Sequence, residues 1–156
     1  VGSEMCIRDS IADVFYIGGT KVGAMFGEAV VFTHGNMPKN FVTLVKQHGA
    51  LLAKGWLLGV QFDTLFTDNL YCRIARRAND AADRISEVLV ERGYTLTFDA
   101  PTNQIFITLD NETSERLQRS VRLGFMEKAD DTHTVMRICT SWATTDKQVE
   151  QLIALL

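Results

Sequence analysis

The 156-residue chain is poor in the residues that build covalent or metal-bound frameworks: it has three cysteines and three histidines. Cys6, Cys72 and Cys139 are odd in number and far apart, with no paired metal-ligand spacing, so neither a disulfide framework nor a zinc knuckle is indicated and the thiols read as reduced. His34, His48 and His133 lack the partner spacing of a metal site or a catalytic triad and read as solvated loop or helix-face histidines. Long apolar runs are missing too. Lys54 breaks the longest one, and no basic region leads into an apolar signal core, so no membrane span is expected and the location reads as cytoplasmic by default. An excess of positive charge is also lacking: the net charge is −3 and the sequence pI is about 5.6. The basic residues are scattered rather than striped, which argues against a nucleic-acid partner.

With 46% hydrophobic residues, the chain can bury one modest core or parts of two. Residues 1–10, VGSEMCIRDS, show neither strand alternation nor helical spacing and resemble translated adaptor sequence, so they are set aside as a non-native tail. From Ile11 the chain reads as alternating elements. Asp13–Ile17 and Glu28–Thr33 are β-rich runs closed by Gly18-Gly19 and His34-Gly35-Asn36. Pro38 suits a first helical position, with Phe41, Leu44, Val45 and His48 on one face of a short helix. The stretch Trp56–Phe66 is apolar nearly all round, as in a buried helix, and a long helix from about Thr67-Asp68 carries Leu70, Ile74, Ala78, Ala81, Ile85 and Val88 before Gly93.

Beyond Gly93 the pattern changes. Tyr94–Phe98 and Gln104–Leu109 read as a hairpin turning at Pro101-Thr102-Asn103, Asn111–Arg122 as a surface helix with Leu117 and Val121 inward, and Thr134–Cys139 as a further strand. Thr145 with Gln148 forms a capping box for a last helix carrying Val149, Leu152, Ile153 and Leu156. Trp142, Phe15 and Tyr16 read as core aromatics. No internal repeat is visible.

The stretch Ile17–Phe32, IGGTKVGAMFGEAVVF, sets Lys21 among small residues between two strands. A lysine in a site cleared by Gly18, Gly19, Thr20, Gly23 and Ala24 is less hydrated and more readily neutral than its reference value of about 10.4 suggests, and a neutral amine attacks carbonyls. A nucleotide loop fails on spacing, since GGTKVG is neither G-x-G-x-x-G nor a phosphate loop ending in G-K-[ST]. On these residues alone the plainer reading of Lys21 is a surface lysine on a glycine-rich connection.

The longer pattern speaks for more. DVFYIGGTKVGAMFGEAVVF resembles the cofactor-lysine segment of the threonine aldolase and β-eliminating lyase family, pyridoxal-phosphate enzymes of the aspartate-aminotransferase fold. There a Ser or Thr precedes the lysine and small residues lead into a strand, as do Thr20, Lys21, Gly23, Gly27, Val30 and Val31 here. The resemblance continues through FVTLVKQHGALLAKGWLLGVQFDTLF and the long helix, and ends at VMRICTSWATTDKQVEQLI. The chain departs from it at Glu28, where a small residue is more usual, and at LLAKG, where many members carry a glycine run and an arginine.

What the resemblance implies is an α/β chain, the C-terminal part of a fold-type I pyridoxal-phosphate enzyme: residues 11–67 the end of the cofactor-binding large domain, 68–93 a connector helix, 94–156 a small C-terminal α/β domain. It implies that Lys21 holds pyridoxal phosphate covalently, that Thr20 and Lys54 are candidate phosphate contacts, Lys54 from a partner subunit, and that Arg137 grips the carboxylate of an amino acid substrate. Ordinary surface roles are the alternatives for all four. No metal is implied. The full-length enzyme would be a homodimer or homotetramer cleaving a β-hydroxy amino acid to glycine and an aldehyde. The general base and the aspartate that pairs with the pyridine nitrogen would lie upstream, leaving this chain inactive by itself. An aminotransferase or β-eliminating lyase of the same fold, or a non-catalytic α/β binding module, are the competing readings.

Overall fold

The computed structural model describes residues 10–156, so the proposed tail, apart from Ser10, and Cys6 lie outside the described residues. The chain divides into two compact units, one ending at Arg73 and the other running Ile74–Leu156.

In the first unit, β1 (Val14–Gly18) pairs antiparallel with β2 (Glu28–Phe32), joined through a single turn of 3-10 helix at Thr20–Val22. Phe15 faces Val31 and Ile17 faces Ala29 on the half-buried side, whereas Tyr16 and Val30 project together from the opposite, exposed side. Tyr16 is 66% exposed, so its assignment to the core is corrected: strand alternation sends it to the face opposite Phe15 and Ile17. Helix α1 spans Phe41–Gln47. It starts three residues later than expected, because Pro38 lies in a turn whose carbonyl accepts from the Phe41 amide at 3.0 Å.

Helix α2 (Trp56–Phe66) is not buried all round. Phe62 and Leu65 are buried and Leu58 half-buried, while Trp56 is 64% exposed and Val60 and Phe66 are also open. A run that is apolar on every side does not name its inward face, and in this unit one stripe alone finds neighbours. Phe62, Phe66 and Tyr71 form a chain of tilted ring contacts, 5.7 and 5.8 Å between successive centroids.

The long helix α3 (Leu70–Glu91) crosses the division between the units. Its buried Ala82, Ile85 and Leu89 belong to the core of the second unit, so its C-terminal part is structural there as well as connecting. Gly93 (φ +82°) ends the run, with its amide donating to the Val90 carbonyl and the Tyr94 amide to Leu89, a left-handed cap suited to glycine.

The second unit is a four-stranded antiparallel sheet in the order β3 (Thr95–Leu96), β4 (Gln104–Asp110), β6 (His133–Cys139), β5 (Gly124–Lys128). Helices α4 (Asn111–Gln118) and α5 (Asp146–Leu155) complete it. One sheet face carries Ile105, Ile107, Leu109, Met136 and Ile138 into a core with α3, Leu117 and Val149. Both members of the capping box at Thr145 and Gln148 are in place. Trp142, expected in the core, is 53% exposed in the turn before α5. His133, expected on a loop or helix face, is the first residue of β6, and its Nδ1 lies 3.1 Å from Asp130 Oδ2. No described helix is long and apolar enough to cross a membrane.

Candidate functional site

Lys21 is exposed at the centre of the 3-10 turn, between buried Val22 and the exposed Thr20. The turn is held from several sides. The Gly19 carbonyl accepts from the amides of both Val22, at 3.0 Å, and Ala24, at 2.9 Å. The Tyr71 hydroxyl donates to the Gly18 carbonyl at 2.8 Å. Gln61 of α2 closes the far side: its Oε1 accepts from the Met25 amide at 2.7 Å and its Nε2 donates to the Phe26 carbonyl at 3.3 Å. Gly19 is itself buried, and a Cβ there would fall 2.5 Å from the Ala24 Cβ and 3.0 Å from the Phe62 ring, so no larger residue fits between the turn and α2. The lysine is thus presented outward from backbone that has little freedom to move.

The sequence signal for this support is thin. Gln61 is conspicuous only as a polar residue inside an apolar helix, and Tyr71 carries no local signature. Thr20 shares the turn with Lys21. Lys54 is exposed in the turn ahead of α2, where its carbonyl accepts from the Leu57 amide at 3.0 Å. The donor types suit a phosphate-bearing aldehyde: an amine for a covalent bond to the aldehyde carbon, a hydroxyl and a second lysine for a phosphate. Among the described residues, no group of His, Cys, Asp and Glu could hold a metal ion.

Arg137 belongs to the second unit, on the central strand β6. It is half-buried, on the sheet face away from the core, with Phe106 of β4 and Gly124 of β5 as its cross-strand partners. Its Nη1 donates to Gln104 Oε1 at 3.2 Å, and its buried Nε–H has no hydrogen-bond partner among the described residues. No ion pair involves Arg137 among them either; those of the described chain join Arg84 to Glu150 and His133 to Asp130. The alternative of a surface ion-pair arginine is therefore not what this strand presents. A half-buried guanidinium with an unpaired donor and no counter-ion suits an incoming anion. Phe98 stacks on Phe106 beside it, with centroids 4.6 Å apart.

Lys21, Thr20 and Lys54 thus lie in one unit and Arg137 in the other, each positioned by its own surroundings. No protein-family model matches the chain. A low-specificity L-threonine aldolase from a Pseudomonas species (strain NCIMB 10558) is 29% identical over 143 residues, which are 91% of this chain and 40% of that protein. The solved threonine aldolase of Leishmania major is 37% identical with a TM-score of 0.88, covering 94% of this chain and 43% of that one. The serine palmitoyltransferase of Sphingomonas wittichii, at 17% identity and a TM-score of 0.67, covers 97% of this chain and 40% of its own, and shares the fold. The architecture is that of part of a fold-type I pyridoxal-phosphate enzyme. More narrowly, the chain is similar in sequence to the threonine aldolases and spans about 40% of the length of the Pseudomonas protein.

Proposed function

We propose that the protein to which this chain corresponds is a pyridoxal-phosphate-dependent lyase that cleaves a β-hydroxy amino acid to glycine and an aldehyde, and that the 156 residues alone are inactive. The observation that carries this reading is Lys21, exposed on a turn fixed by Gly19, Gln61 and Tyr71 in a threonine aldolase homologue. Pyridoxal phosphate, when bound, supplies an electron sink for cleavage at the substrate Cα.

The residues of this chain do the rest of what can be assigned to it. Lys21 would hold the cofactor through its primary amine, a role requiring an amine on rigid backbone. Thr20 donates, and Lys54 supplies positive charge, toward the phosphate, Lys54 across a subunit boundary. Arg137 grips the substrate carboxylate with the guanidinium donors that Gln104 leaves free. As the Cα–Cβ bond breaks, the hydroxyl proton passes to a base outside this chain, the aldehyde leaves, and a proton delivered to Cα gives glycine.

A homodimer or homotetramer is part of the reading, supported by the exposed apolar side of α2. So is a reducing, cytoplasmic setting, supported by free thiols at Cys72 and Cys139 and checked by cell fractionation. Product analysis tests the reaction: the full-length enzyme should release glycine and an aldehyde in equal amounts from a β-hydroxy amino acid. A keto acid product, as from transamination or β-elimination, would contradict it.

A further inference from the structure

We propose that Gln104 is a positioning residue for Arg137, and that its neutrality is the point: it orients the guanidinium without cancelling its charge. The inference rests on the reading of Arg137 as a carboxylate grip. The sheet register sets the geometry. Ile105 faces Ile138 and Ile107 faces Met136 on the core side, so Gln104 and Phe106 project with Cys139 and Arg137 on the other side. Arg137 lies opposite Phe106, which makes Gln104 its diagonal neighbour across the β4–β6 pair, a separation that two long side chains bridge. They meet at 3.2 Å, the Gln104 carbonyl oxygen accepting from Nη1.

On the other flank is Gly124. A Cβ there would sit 3.4 Å from both the Arg137 Nε and its carbonyl oxygen, in contact with them, and glycine leaves that flank without a side chain. The guanidinium is therefore held at one edge by an amide and flanked on the other by a residue without a side chain. No carboxylate shares it among the described residues. Glutamate at position 104 would hold the same geometry, but as a standing counter-ion competing with the substrate carboxylate.

The test is carried out on the full-length enzyme loaded with cofactor. Gln104→Met, similar in length but without the acceptor, should raise the KM for a β-hydroxy amino acid about 3–10-fold with kcat within about twofold. Gln104→Glu should raise it further, and the defect should shrink as pH falls and the introduced carboxyl takes up a proton. Inhibition by a hydroxy acid lacking the amine should weaken in parallel in both variants, while inhibition by an amino alcohol lacking the carboxylate should stay unchanged. A purely structural role would move both inhibitors together, or kcat, and would overturn the inference. Unchanged KM in both variants, with Arg137→Lys still impaired, would overturn the role of Gln104 alone. Unchanged KM in Arg137→Lys as well would remove Arg137 from the site.

Discussion

The two units of this chain bury their apolar residues very differently. Ile74–Leu156 encloses Ile85, Leu89, Ile107, Leu117 and Met136 almost completely, and closes one sheet face with three helices. Among the described residues, the unit ending at Arg73 buries only Val22, Ala24, Phe62 and Leu65 of its hydrophobic side chains, and leaves Tyr16, Met25, Trp56 and Val60 exposed. The lysine turn is ordered by the small buried cluster of Val22, Ala24 and Phe62 together with the hydrogen bonds of Gln61 and Tyr71. A unit with its own core can hold Arg137 in place unaided, whereas one with so much open apolar surface calls for cover by other protein. On the proposed reading, the cofactor lysine is carried by the less self-sufficient part.

Amide exchange probes the contrast most sharply. In the 156-residue chain, residues 105–109 and 135–138 should exchange on the order of 10³-fold more slowly than 14–18 and 28–32, corresponding to about 4 kcal/mol in opening free energy. Equal protection in both sheets would break the comparison. Arg137→Lys in the full-length enzyme should lower kcat/KM by the equivalent of about 2–4 kcal/mol while cofactor absorbance persists, since an ammonium cannot reproduce a planar two-point grip. Sedimentation of the chain at rising concentration should show self-association through the apolar surface of the first unit, reduced by Trp56→Gln; a monodisperse monomer would contradict the need for cover. The smallest effect belongs to the well-built unit. Thr145→Ala removes the side-chain acceptor for the Gln148 amide and should cost about 1 kcal/mol in thermal or denaturant unfolding.

How much the sequence disclosed follows the same division. In the second unit β4, β6, α4 and α5 were legible, because alternation, turn residues and caps coincide with burial there. Strand β5 was not: Gly124–Lys128 is exposed beyond its first residue and carries a bulge between Phe125 and Glu127, so it shows no alternation. In the first unit the strands were legible, but the all-round apolar pattern of Trp56–Phe66 does not name its inward side, which is set by Gly27 against Leu58 and Gly19 against Phe62. Lys21 and Arg137 came from a resemblance to a family, not from spacing. The residues that support them, Gln61, Tyr71 and Gln104, act through contacts 35 to 53 positions away for the first two and 33 for the third. No local motif encodes such distances.

The central claim is that Lys21 is the cofactor lysine. Borohydride reduction of the full-length enzyme loaded with pyridoxal phosphate, followed by proteolysis and mass spectrometry, tests it most directly. The account predicts a single pyridoxyl group on the peptide containing Lys21, absent after Lys21→Ala. A pyridoxyl group fixed instead on another lysine of the wild-type enzyme would contradict it.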